Sequence, residues 1–329
     1  MMKRISLFLA ISTLFLICSP PAEGQTGAVA ANRASRAAKK PAKKAQTIVA
    51  ETDAWRRRFW FYATLSSSFD TNINHERQGL NSYGVVPSLG MHFQNSVEKP
   101  SFEMEYEIAA HRYTNTNEWN RVSQRFVASY KKHLFGRWST RTEGEVTLKG
   151  SSEDRELNNQ YALGQQLEYR LNQNSRVQLV AAYRLKRDPI DSGNNAIDPY
   201  LGAKFIQRLA GDRRLALSYR YDKNRSQDPK NRYIRWAYEA EFAMPIIDRR
   251  NRITFDLTFK PRLYARTVKV DGARVPRRDG RWIFETMFER SLRPDLKVSA
   301  LYRFERRESN DPDKKFKSHQ AGIALTYKW

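Results

Sequence analysis

The chain is 329 residues long, with a net charge of +23, 28% charged residues and a mean hydropathy of −0.73. Beyond its first residues no stretch approaches the about 20 consecutive apolar residues that a membrane-crossing helix needs, which excludes helical spans there. Aromatic residues still make up 12% and are spread along the whole length, which suits a chain that alternates polar and apolar character residue by residue.

The first element in chain order is MMKRISLFLAISTLFLICSPPAEGQ. Lys3 and Arg4 precede an apolar core from Ile5 to Ile17, followed by the small-x-small site Ala22-Glu23-Gly24. This order predicts a signal peptide over residues 1–24, cleaved near Gln25; a single uncleaved anchor is the alternative. Lipidation at Cys18 would need a small residue before it, and Ile17 is not small. Cys18 is the single cysteine, so the exported chain must be held without disulfides. Residues 25–55 are rich in Ala, Lys and Arg without apolar periodicity and predict a disordered segment. Such a segment serves as a tether or as a basic arm reaching anionic headgroups or cell-wall polymers.

From residue 56 to 329 a different pattern takes over. In FEMEYEIAA, Phe102, Met104, Tyr106 and Ile108 alternate with Glu103, Glu105 and Glu107; in RITFDLTFK, Ile253, Phe255, Leu257 and Phe259 alternate with Thr254, Asp256, Thr258 and Lys260. Period two places each set on one face of a strand. About fourteen such runs are expected, starting near residues 59, 83, 101, 121, 137, 160, 175, 198, 213, 232, 251, 280, 296 and 317. Each is about ten residues, enough for a tilted membrane-spanning strand. Connections alternate in length. EKP, LFGR, NQNS, AGDR, IDRRN and RPD are turn-like, whereas TNINHERQGLNS, TNTNEWN, SSEDRELNN, DPIDSGNNAID, DKNRSQDPKN, KVDGARVPRRDG and ESNDPDKKFK are long and polar. Pro87 and Pro261 fall inside runs and each removes a ladder donor, which predicts a bulge or a shortened strand. A soluble β-sandwich would also alternate, but its loops need not alternate in length.

On these runs, and on the closing stretch SHQAGIALTYKW, the chain resembles the Gram-negative outer-membrane β-barrels of the porin-like kind. The resemblance implies an all-β, antiparallel up-and-down transmembrane barrel of about fourteen strands with both termini in the periplasm. It also implies that Trp329, Tyr327, Leu325 and Ile323 form the C-terminal signal read by the barrel-insertion machinery. SSSFDTNIN is similar to the first strand of barrels found beside periplasmic repeat domains, including surface-lipoprotein assembly modifiers.

With the apolar set facing lipid, the lumen receives Arg125, Lys131, Arg141, Arg170, Arg184, Arg220, Arg235, Arg262, Arg266 and Arg303, together with Glu103, Glu105, Glu107, Glu239 and Glu241. These either pair across strands as an ion lattice or line an anion-leaning pore. Arg220, Arg235, Arg262 and Arg266 are the candidates for gripping a carboxylate solute. The basic loops point to lipopolysaccharide phosphates as surroundings rather than to nucleic acid, and the barrel is expected to be a monomer. Of the histidines, His111 is placed in the lumen near the outer rim, His92 deeper, His319 toward lipid, His133 near the periplasmic end and His75 in a flexible loop. The motifs of barrel phospholipases and omptin-like proteases do not occur, so catalysis is not expected, and no His or Cys cluster has ligand spacing, so neither a metal nor another cofactor is expected. The expected function is a passive channel for small hydrophilic, anionic solutes, with an export-assisting or structural barrel without an open pore as the first alternative and a barrel lipid hydrolase or protease as the second.

Overall fold

The computed structural model describes residues 58–73, 75, 77, 79–96, 101–115, 120–151, 157–189 and 191–329. The expected signal peptide and Ala/Lys-rich segment lie outside the described residues. Fourteen antiparallel strands follow one another: β1 Phe59–Asp70, β2 Ser82–Gln94, β3 Phe102–Tyr113, β4 Arg121–His133, β5 Trp138–Ser151, β6 Leu157–Arg170, β7 Ser175–Arg187, β8 Ala196–Leu209, β9 Arg213–Ser226, β10 Tyr233–Ile246, β11 Asp248–Val270, β12 Ala273–Arg293, β13 Leu296–Ser309 and β14 Phe316–Lys328. Each pairs with its sequence neighbours, and β14 pairs with β1, so the sheet closes into an up-and-down barrel. Closure removes the edges that an open sheet would expose.

The seam is joined in register from Tyr62↔Lys328 to Asp70↔Gln320. It ends in reciprocal backbone bonds, with Phe61 N–H donating to Trp329 O at 3.1 Å and Trp329 N–H to Phe61 O at 3.0 Å. Trp329 also lies against the rings of Phe61 and Tyr327, at 6.1 and 5.8 Å between centroids.

Alternation sorts the side chains as the sequence predicts. Outward positions carry exposed hydrocarbon, including Leu65, Leu89, Leu163, Leu201, Leu257 and Ile323. Inward positions carry the buried charges, among them Asp198, Asp222, Arg235, Arg281 and Glu305. The polarity is inside out relative to a soluble sandwich, and in water such an outer surface would drive association. Outward rings form bands. Tyr219, Tyr238, Phe259 and Trp282 stack in sequence across β9 to β12 at 5.4, 6.3 and 4.2 Å between centroids. Toward the end bearing the termini, Trp138 meets Tyr169 at 4.6 Å and Phe93 meets Phe102 at 6.3 Å.

Four expectations need correction in whole or in part. Strands are longer than ten residues: most have 12 to 14, and β11 and β12 reach 23 and 21. The stretch KVDGARVPRRDG is accordingly a hairpin rather than a loop. Thr267↔Pro276 to Val270↔Ala273 remain paired beyond the barrel wall, and Asp271 (φ 49°) and Gly272 (φ 83°) supply the two left-handed residues that a tight hairpin turn requires. Pro87 neither bulges nor shortens β2, whereas β11 does carry an irregularity close to Pro261, a register shift against β12 between Leu263 and Thr267. The β2–β3 ladder skips from Val85↔Arg112 to Ser88↔Ala109 and the β10–β11 ladder from Arg235↔Arg262 to Tyr238↔Phe259, with register kept on both sides of each gap. A missing donor is tolerated because the pairing on the opposite side of each proline, Leu65↔Pro87 and Pro261↔Gly280, stays intact. Finally, His75 does not project into solvent, because the β1–β2 connection folds inward as described below.

Candidate functional site

The lumen holds the chemistry, and its charges fall into three levels. Nearest the termini, strands β2 to β7 carry a partly exposed lattice. Arg125 reaches Glu145 at 2.9 Å and Glu105 at 3.6 Å; Arg141 reaches Glu143 at 3.2 Å and Glu103 at 3.5 Å. Tyr62 donates to Glu105 and Glu107 at 3.2 and 3.1 Å. Its ring covers Gly90, where an added Cβ would collide with the Tyr62 ring, so the glycine provides the space. Lys131 and Arg176 lie 3.8 and 3.6 Å from Glu168, which also accepts from Gln178 at 2.7 Å. Arg170 ends β6 exposed, its backbone N–H bonded to Arg137 O at 3.0 Å. His92 stacks on Trp60 at 4.1 Å, whereas His111, at the long-connection end of β3, shares a 2.9 Å hydrogen bond with Ser123.

At the level toward the long connections the lattice is dry. Asp198 binds Lys186 at 2.9 Å, Arg184 at 3.2 Å and the Asn224 amide at 2.5 Å. Asp222 accepts from Arg235 Nε at 2.9 Å and from Arg220 Nε at 3.1 Å. Arg262 and Arg235 lie over the Tyr233 ring at 4.9 and 5.9 Å, and Arg277 lies over Tyr264 at 4.2 Å while pairing with Asp279 at 2.5 Å. Glu305 receives Arg281 at 2.6 Å and Arg303 at 3.2 Å. Burying such charges without partners would cost several kcal/mol each, roughly, so the pairing is a condition for packing them here.

The described residues at the start of the β1–β2 connection, up to Ile73 and His75, turn inward and cap this level. Asp70 accepts from Asn72 N–H at 2.8 Å and from Ser318 Oγ at 2.7 Å, and the Asn72 amide donates to Lys317 O at 3.1 Å. This Asx turn in SSSFDTNIN pins the connection to β14 and turns Ile73 and His75 into the lumen. His75 stacks on Phe316 at 4.5 Å, with its Nδ1 3.9 Å from Glu305. Arg307 lies over the other partner of that stack, the Phe316 ring, at 5.0 Å.

Between the two lattices lies a cavity of about 540 Å³. Its wall includes Lys204, Glu239, Glu241, Asp256, Lys260, Glu285 and Arg303, with Ile73 reaching it from the inward connection. Glu241, Asp256, Glu285 and Arg303 stand directly opposite one another on β10, β11, β12 and β13. Three acids in one row repel, and Arg214 on Glu241 at 3.0 Å and Arg303 on Glu285 at 3.6 Å offset this.

The structure thus brings Arg220 and Arg235 together on Asp222. Arg262 sits one strand over beside Tyr233. Arg266 lies apart at the rim, on Asp311 at 2.7 Å. The acidic row was not recognised from the sequence, because facing residues depend on the register between strands, which alternation along one strand does not give.

No family model and no characterised relative matches the sequence. Solved structures match in fold. One is described as a bacterial polysaccharide outer membrane secretin, with 11% identity, TM-score 0.51, and coverage of 82% of this chain and 98% of that one. Another is the outer membrane channel DcaP of Acinetobacter baumannii, with 9% identity, TM-score 0.50, and coverage of 83% and 96%. In fold, the chain is a closed, antiparallel up-and-down β-barrel of fourteen strands, similar to the barrels of these two outer-membrane proteins.

Proposed function

We propose that the protein is an outer-membrane channel for passive diffusion of small hydrophilic solutes, with a preference for anions. The observation that carries this is the charged cavity enclosed by a closed barrel whose outer face is hydrocarbon. A hydrophilic solute is solvated inside such a wall and excluded from the lipid outside it. The names of the two fold neighbours, a channel and a secretin, describe conduits and support the same reading. In this reading residues 1–24 direct export and are cleaved, the termini face the periplasm, and the long connections face outward. Both signs line the cavity, so the anion preference comes from the level above it. There Arg235, Arg262, Arg277 and Arg307 are buried along the wall.

Single-channel recording of the refolded protein in a planar bilayer under a salt gradient tests the proposal. Small, stable conductance steps with a reversal potential on the anion side are expected. No conductance from protein whose heat-shifted gel mobility proves folding would refute it. A second reading, an export-assisting or structural barrel that does not conduct alone, is favoured by one feature: the dry lattice and the inward connection narrow the end bearing the long loops. The same recording separates the two.

A further inference from the structure

On the outer face, just beyond the aromatic band on the side of the long connections, strands β9 to β11 form a groove of about 550 Å³. The Tyr221–Trp236 pair marks the edge of the band, with ring centroids 6.2 Å apart. The next outward row runs Lys223, Ile234, Leu263 and Arg278 across β9, β10, β11 and β12 in direct register. Lys223, Arg225, Ile234, Leu263 and Ala265 line the groove, so its floor is aliphatic and its flank cationic. Arg232, also at the groove, is already engaged, donating to Ser226 O at 2.8 Å and Gln227 O at 3.5 Å. Asp222 faces the lumen and is held there by Arg235, and Glu308, an outward acid near the row, pairs with Arg306. Among the described residues, no carboxylate forms an ion pair with Lys223, Arg225 or Arg278.

Cations set beside an aliphatic floor at the level of an aromatic band match a lipid whose phosphates sit at the headgroup level and whose acyl chain lies on the barrel. The cations are distributed, with Lys223 and Arg225 on β9 and Arg278 on β12 at opposite ends of the row. That spacing suits two phosphates rather than one. We propose that this groove binds the bisphosphorylated glycolipid headgroup of lipopolysaccharide, with an acyl chain over Ile234 and Leu263. The proposal rests on the outward placement of the long connections and not on conduction, so failure of one leaves the other standing.

Native mass spectrometry of the full chain, refolded in detergent, would be run with bisphosphorylated lipid A, its dephosphorylated form and phosphatidylglycerol. We expect retention of bisphosphorylated lipid A at least about tenfold above the other two lipids, with inorganic phosphate not competing. Lys223→Gln with Arg225→Gln is expected to lower that retention about tenfold or more, given the attraction contributed by each basic side chain. Equal retention of lipid A and phosphatidylglycerol, or of the phosphorylated and dephosphorylated forms, would overturn the proposal using the unaltered chain alone. Undiminished retention by the folded double variant would do so as well. Arg249→Gln with Arg250→Gln, at the opposite end of the barrel, is the matched charge control and should retain the lipid like the unaltered chain.

Discussion

Asp222 offers the sharpest test of whether the dry lattice holds the barrel together. Its carboxylate is 0% exposed and is shared by Arg235, itself 1% exposed, and Arg220. In Asp222→Asn the neutral amide replaces a charge that both guanidiniums face. Removing one partner of a buried pair typically costs about 3–5 kcal/mol, because the remaining charge keeps its desolvation penalty. Replacing both members of the buried pair, Asp222→Leu with Arg235→Met, removes that penalty and should recover most of the loss. Arg220, whose side chain is 25% exposed, can turn to lumen water. The assay is urea unfolding in lipid vesicles, followed by tryptophan fluorescence, for the parent, the single variant and the double variant. A single-variant cost below about 1 kcal/mol, or a double variant no more stable than the single, would refute the reasoning. In the bilayer, Asp222→Asn should also move the reversal potential further toward anions, since it removes one lumen acid and leaves the cations.

Other consequences follow from the same geometry. Replacing residues 72–80 by a short Gly-Ser linker should raise single-channel conductance severalfold, because Ile73 and His75 leave the lumen; unchanged conductance would mean that the narrowing lies elsewhere. Trp329→Ala should lower the yield of barrel assembled in cells while leaving refolding in detergent intact, as read by heat-shifted gel mobility, if the terminal ring acts in recognition more than in closing the seam. Ile247, a β-branched residue at φ 65° and 99% exposed, occupies a backbone region that costs such residues about 1–2 kcal/mol, so Ile247→Gly should raise unfolding stability by about 1 kcal/mol in the same urea assay. Gly90→Leu should displace the Tyr62 ring and its hydroxyl from Glu105 and Glu107, lowering stability and altering conductance together; a silent substitution would show that the contact is dispensable.

The parts of this molecule that were legible in the sequence are those set by a single strand. Alternation in FEMEYEIAA puts Glu103, Glu105 and Glu107 on one face whatever lies beside them, and that face is the lumen. Turn length likewise separates the two ends. What depends on two strands was not legible. That Arg235 meets Asp222, and that Glu241, Asp256 and Glu285 form one row, follows from register, and a shift of two residues would keep every side chain on its face while exchanging every partner. The inward turn of the β1–β2 connection belongs to the same class. Its polar sequence, TNINHERQGLNS, reads as solvated, yet Asp70, Asn72 and Ser318 bind one another and carry Ile73 and His75 inside. The hairpin in KVDGARVPRRDG was missed for a different reason: its charges suggested a loop, while the Asp-Gly pair that makes its turn was present throughout. In a barrel with a polar interior, charge is therefore weak evidence for a loop. Polar residues occur on one face of every strand, so strand ends are better read from φ-demanding turn residues such as Asp271-Gly272 than from the point where hydrophobicity fades.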